Sequence, residues 1–363
     1  MPSLNECKNY VILHAKTLNI GSDIKKLLPL IDSMSDDSPN SWARIFIEEA
    51  KRQLVRNDID KALGYFNIAR FPYADTVIQK EAYKSYLSLF QREYIDSGFL
   101  EIRRSKDNKT TYYYKKGNSK TTVIICGGII SLKEQWIKAL KIFNKFGCSV
   151  LLYEMPGVGE NTERYDNKEL KLFSHLIDEL DLSDDCFCHV IGISFSGYFA
   201  LKDACTDIRI TSITMIGTPL SDFFHDHLSF NRAPDLTKET LTHLVSNCSH
   251  NVKSDESLFN FVDRYFPKLN ITRSDITIFY LQSKFDEIIS MSEISHFDNK
   301  IKKFYLLSLP DKHGSPRYHK VVFLFVVWSL SKTINANFFI QKMLKASIRA
   351  IFICTLVKNK FTA

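Results

Sequence analysis

Apolar residues recur at three- and four-residue steps in the first quarter of the chain, as in Trp42, Ile45, Phe46, Ala50 and Leu54. That is the period of a helix with one buried face. Between residues 41 and 94 the only Pro is Pro72 and the only Gly is Gly64, and Asn40 and Ser41 suit a helix N-cap. Residues 1–95 are therefore expected to be helical. After Ser97-Gly98 the period shortens to two. Residues 99–105 and 110–116 alternate like half-buried strands around a polar turn at 106–109. Residues 121–126 form a short, wholly apolar run ending in Gly127-Gly128.

From there strands and helices alternate. Strands are expected at 148–153, 186–193, 208–216, 275–281 and 303–307. Helices are expected at 167–180, at 197–204, near Met291 and after Pro316. Alternation of this kind indicates an α/β chain with a mostly parallel twisted sheet and helices on both faces. The stretch 218–272 is too long for a simple connection and reads as a lid insertion. The expected organisation is a helical N-terminal domain (1–95), an α/β core (96–333) and a basic C-terminal helix or tail (334–363).

Composition narrows the class. The 363 residues are 45% hydrophobic and 25% charged, which suits a globular chain with a real core. The net charge is +7, but from Lys300 onward twelve Lys/Arg face one acid, Asp311, so the rest of the chain is net negative. A uniformly basic nucleic-acid binder is excluded on that ground. The eight cysteines form no CxxC pair and no zinc spacing, and no metal or cofactor is expected. Gly157-x-Gly159 lacks the lysine and spacing of a nucleotide loop. The longest apolar run, 321–330, is about half the roughly 20 residues a membrane span needs. With no basic n-region at the start, the chain reads as cytoplasmic and reduced.

The strongest chemical signal is Gly192-Ile193-Ser194-Phe195-Ser196-Gly197, between an apolar strand and a helical run. A serine on a sharp strand-to-helix turn needs small flanking residues, and its hydroxyl stands out of the sheet. Such an elbow is followed in the chain by an acid and then a histidine, each after a later strand. Asp286 and His313 stand there, with Glu287 and Asp311 as rival acids. Asp311, two residues from His313, is poorly spaced to reach the far ring nitrogen. Stabilising amides are expected from Phe195 and from Gly128 or Ile129 in the loop after the 121–126 strand.

These features together resemble the α/β-hydrolases. The runs 123–136, 151–162 and 192–200 are similar to a narrower group, and 62–75, inside the helical N-terminal region, resembles that group's N-terminal domain. It holds the fermentation–respiration switch protein, dihydroxypseudooxynicotine hydrolase and fungal naphthopyrone chain-shortening hydrolases. The likeness covers about 40–330. Two positions depart from it: Ile130 and Glu154 stand where the group has Asp. The resemblance implies cleavage of a carbon–carbon bond next to a carbonyl, in a β-diketone or polyketide-like substrate, by Ser194, His313 and Asp286. It also implies that the N-terminal helices and the insertion enclose the cleft. A carboxylesterase or thioesterase with the same triad, and a non-enzymatic binding protein, are the alternatives. The basic C-terminal end is expected to pack on the core, dock an acidic acyl carrier protein or touch anionic lipid. A homodimer is compatible with the sequence.

Overall fold

A computed structural model describes residues 3–18, 20–166, 169–180, 182, 186–246, 252, 254–297 and 301–361. The first residues of the expected 167–180 helix, part of the 218–272 insertion and Cys248 lie outside them. The chain divides into two compact units. One comprises Met1–Ile102 with Pro234–Leu244, the other Arg103–Ala233 with Val245–Ala363.

The first unit contains α1 (Leu4–His14), α2 (Ile24–Leu27), α3 (Trp42–Val55), α4 (Ile59–Ala69) and α5 (Val77–Phe90). Helix α4 is buried on every side from Ala62 to Ala69 and forms the centre of this unit. Asp58 caps it by accepting from the Lys61 N–H at 3.1 Å. The Trp42 indole of α3 donates to the Ile68 carbonyl at 2.7 Å. Thr76 and Gln79 form a reciprocal capping box on α5. The stretch 234–244, which the sequence places in a lid, joins this unit. Glu6 accepts the Leu236 N–H at 2.7 Å, and Tyr73 stacks on His243 at 3.8 Å between centroids.

The second unit holds the sheet. The strands are β1 (Glu101–Arg104), whose first two residues fall in the first unit, β2 (Thr111–Lys115), β3 (Thr121–Cys126), β4 (Ser149–Tyr153), β5 (Phe187–Ile193), β6 (Ile210–Ile216), β7 (Thr277–Ser283) and β8 (Lys303–Leu309). Their order is β1-β2-β4-β3-β5-β6-β7-β8. Strand β2 is antiparallel to β4, and β4 through β8 are parallel neighbours. Strands β3 and β4 are buried throughout, as their apolar runs at 123–126 and 150–153 require when both faces are covered. The remaining helices of the chain are α6 (Ile137–Lys145), α7 (Leu172–Glu179), α8 (Ser196–Ala204), α9 (Asp222–His225), α10 (His227–Arg232), α11 (Asp235–Ser246), which falls in the first unit up to Leu244, α12 (Asp255–Tyr265), α13 (His319–Thr333) and α14 (Phe338–Phe361). Helix α6 packs on β4, α8 on β5 and β6, and α13 on β5, β6 and β7. Around Met291 the turn is a 3-10 helix, Met291–Phe297, rather than an α-helix.

One histidine is part of this core. His189 of β5 lies between Ser212 and Thr214 of β6, at 2.7 and 3.1 Å, and burial pulls it down to about 3. It is therefore neutral in the folded chain.

Strand order positions the site. From β3 the chain moves to β4 on one side, then crosses to β5 on the other. Ligands of open parallel sheets bind outside the carboxyl ends of strands at such a reversal. Here Cys126, the last residue of β3, is paired with Gly192, two residues before Ser194.

Candidate active site

Ser194 has φ +58 and is 8% exposed. A left-handed residue with a Cβ costs about 1–2 kcal/mol, so the surroundings must hold it. Its N–H donates to the Ile216 carbonyl at 2.8 Å, and its carbonyl accepts from Gly197 at 3.0 Å. The turn is so tight that a Cβ on Gly192 would stand 2.6 Å from the Gly197 Cα. Ser196, where the second glycine of such elbows is usual, is fully buried. Its Oγ accepts the Ile193 N–H and bonds the Cys126 carbonyl, both at 2.8 Å. Helix α8 begins at Ser196, so its positive end lies beside Ser194.

His313, in the loop after β8, brings Nε2 to 3.0 Å from the Ser194 Oγ. Its Nδ1 lies 3.0 Å from both carboxylate oxygens of Asp286, in the loop after β7. The Asp286 side chain is almost wholly buried, and its Oδ1 also accepts the N–H groups of Ile288 and Ile289 at 2.9 Å. Burial pulls the His313 pKa down, but the Asp286 carboxylate outweighs it, with a smaller contribution from Glu287, and the net shift is upward. A serine hydroxyl, an imidazole and a carboxylate thus form one hydrogen-bonded chain.

The other two acids have different partners. Glu287 accepts the main-chain N–H of His313 at 3.2 Å. Asp311 is buried and accepts the Arg317 N–H at 2.7 Å, while its own carbonyl accepts from Phe285 at 2.9 Å. With Ser283 bonded to Ser315 at 2.7 Å, these contacts stitch the acid loop to the histidine loop. Gly217, directly after β6, has φ +55. A Cβ there would lie 3.2 Å from the His313 Cε1 and 3.6 Å from an Asp286 oxygen.

The loop after β3 runs along the elbow. A Cβ on Gly128 would meet the Ser194 Cβ at 3.0 Å, so glycine is what lets this backbone pass. The Phe195 ring is buried against Phe223 and Phe224, at centroid distances of 5.2 and 5.9 Å, which fixes the amide that follows the serine. The loop is braced from both ends. The Cys126 carbonyl is held by Ser196. Farther along, Glu154 accepts the Lys133 N–H at 3.1 Å and its ammonium at 3.0 Å. Lys133, wholly buried, also reaches Glu160 at 2.7 Å and Glu134 at 3.2 Å. Burial, together with Glu134, pushes the Glu154 carboxyl up against the pull of the ammonium. Burial works against the charge on Lys133, and the three glutamates outweigh it.

Ser194, Asp286 and His313, far apart in the chain, converge in space, with Phe195 and Gly128 beside the serine. Reading the sequence did not single out Gly217 or the roles of Ser196, Lys133 and Glu287. A glycine immediately after a central strand was the available signal for Gly217. Among the described residues no His/Cys/Asp/Glu group could hold a metal ion, and no helix is long and apolar enough to cross a membrane.

The sequence matches no family model, and no curated protein matches it. Solved structures do. One structure of AbyA5 is 24% identical, with a TM-score of 0.84 over 96% of this chain and 99% of that one. Another AbyA5 structure is 25% identical, with a TM-score of 0.76 over 89% and 97%. The crystal structure of 2,6-dihydroxy-pseudo-oxynicotine hydrolase is 17% identical, with a TM-score of 0.57 over 86% and 87%. The fold is that of the α/β-hydrolases.

Proposed function

We propose that this chain, folded as an α/β-hydrolase, is a serine hydrolase that cleaves a carbon–carbon bond next to a carbonyl. The observation that carries the reading is the Ser194 Oγ lying 3.0 Å from His313 Nε2, with Asp286 on the far ring nitrogen. In the proposed reaction His313 takes the Ser194 proton as Oγ attacks one carbonyl of a β-diketone. Asp286 fixes the tautomer and balances the imidazolium. The oxyanion is assigned to the N–H of Phe195 and that of Gly128 or Ile129. On collapse the bond between the attacked carbon and its neighbour breaks, and the electron pair leaves as an enolate stabilised by the second carbonyl. The proton on His313 passes to the enolate carbon. Water, deprotonated by His313, then releases the acyl group as a carboxylic acid.

The nearly enclosed serine and the buried Asp286 favour this chemistry, because expelling a carbanion is helped where water is excluded. One fold neighbour is named as a hydrolase of 2,6-dihydroxy-pseudo-oxynicotine, which accords with the reading. An ester or thioester would share the first half of the reaction, and substrate selection separates the two. The test is a panel of β-diketones, esters and thioesters with products identified by mass spectrometry. Equal amounts of carboxylic acid and ketone from a diketone, at a higher kcat/KM than any ester, are expected. Ester or thioester turnover with diketones untouched would overturn the carbon–carbon assignment while leaving the triad in place.

A further inference from the structure

The 24-residue helix α14 has two apolar faces, and only one is covered. On the covered side Ile348 is buried, the Phe352 ring lies 5.7 Å from that of Tyr318, and Gln341 donates to the Ala336 carbonyl at 2.8 Å. Phe339, Met343, Ala346, Ala350, Ile353 and Val357, spaced alternately by four and three residues, line the opposite side and are all exposed. Phe339 is 73% exposed and Met343 69%. An unbroken apolar stripe on the solvent side is unusual for a helix already packed through its other face.

Charge says what fits there. Lys342, Lys345 and Arg349 run along one flank of the stripe, Lys358 lies near its end, and the helix contains no Asp or Glu. A second copy fits badly. Antiparallel pairing of the stripe with itself would set the Lys342–Lys345–Arg349 flank against the same cations, with no acid to offset them. An acidic protein would meet the cations but has no evident need to cover Phe339, Met343 and Ile353. A surface carrying both anionic groups and hydrocarbon satisfies both halves of the face.

We infer that α14 is an interfacial helix that lies on anionic lipid, with Phe339, Met343, Ile353 and Val357 immersed below the headgroups and Lys342, Lys345 and Arg349 among the phosphates. The reading concerns binding and is independent of the reaction assigned to Ser194.

The experiment is co-sedimentation of the full chain with vesicles of phosphatidylcholine alone and of phosphatidylcholine mixed with phosphatidylglycerol. Binding is expected only to the anionic vesicles, and to weaken as salt rises. The K342A/K345A/R349A variant is expected to lose roughly a hundredfold in partitioning, from about a fivefold contribution per cation near such a surface. The M343S/I353S variant, altered only at exposed positions, is expected to lose about tenfold or more. Unchanged circular dichroism and melting would establish that both variants fold. No binding to anionic vesicles by the wild-type chain would overturn the inference. So would undiminished binding by M343S/I353S, since headgroup contact alone would then suffice. A dimer in light scattering that M343S/I353S abolishes, or a complex with an acidic acyl carrier protein without vesicle binding, would replace it with a protein interface.

Discussion

The Ser196 Oγ bonds the Cys126 carbonyl at 2.8 Å, tying the elbow that carries Ser194 to the loop that supplies Gly128 and Ile129. The same oxygen accepts the Ile193 N–H, so one buried hydroxyl fixes both walls around the serine. Ser196→Ala removes the acceptor of the Ile193 N–H and the donor to the Cys126 carbonyl, a loss of about 1–3 kcal/mol of stability. Because Ser196 only positions other groups, kcat is expected to fall with KM nearly unchanged. Thermal melts with steady-state kinetics check this. A variant as active and stable as the wild type would contradict the bridge.

The pH profile follows from the partners of His313. A general base must be neutral, and kcat/KM reports the free enzyme. Asp286 raises the His313 pKa above its usual 6.5, against the effect of burial. Activity is therefore expected to rise with pH along one ionisation whose midpoint lies above 6.5. In Asp286→Asn the midpoint should move down, because burial then dominates. The same upward shift gives His313 a stabilising contribution that is complete below pH 6.5 and lost as pH rises through its folded pKa.

The three acids near His313 should separate by assay. Asp286→Asn is expected to lower kcat by about 10⁴ through the wrong tautomer. Glu287→Gln loosens the backbone clasp on His313 and removes a minor charge that raises its pKa, and a much smaller loss is expected. Asp311→Asn should appear mainly as a lower melting temperature, since that carboxylate is buried and turned toward the Arg317 N–H. A kcat collapse in Asp311→Asn with Asp286→Asn near wild type would reverse the assignment.

Gly217→Ala would place a methyl group 3.2 Å from the His313 ring at a left-handed position. Gly98→Ala is the matched control: its φ is +71, and nothing lies within 4 Å of the added Cβ. Both should cost about 1–2 kcal/mol of stability from the backbone alone. Only Gly217→Ala should also depress kcat.

Much of this site was legible in the chain because each part has a local signature. The elbow shows as small residues flanking Ser194, and the partners show by following strands whose apolar runs are unbroken. Ends of elements moved by a few residues, as with β7, expected over 275–281 and found at Thr277–Ser283, because Gln282 and Ser283 continue the ladder despite their polarity. The buried Lys133–Glu154–Glu160 cluster had no signature. Charged residues near Gly127-Gly128 look solvated in a sequence, and only their convergence from two loops buries them. The fate of 234–244 was hidden for a related reason. What joins it to the helical unit is tertiary: the Glu6 carboxylate and the Tyr73 ring.

The most direct test is the covalent state of Ser194. The full chain is treated with a fluorophosphonate, digested, and read by mass spectrometry, beside Ser194→Ala and His313→Ala. One phosphonyl group on the peptide carrying Ser194 is expected, with slow labelling in His313→Ala and none in Ser194→Ala. Turnover by Ser194→Ala should fall by several orders of magnitude, about 10⁶ for nucleophiles of this kind. Label on another residue, or a Ser194→Ala protein that keeps more than about a tenth of wild-type turnover, would contradict the role of Ser194 as nucleophile.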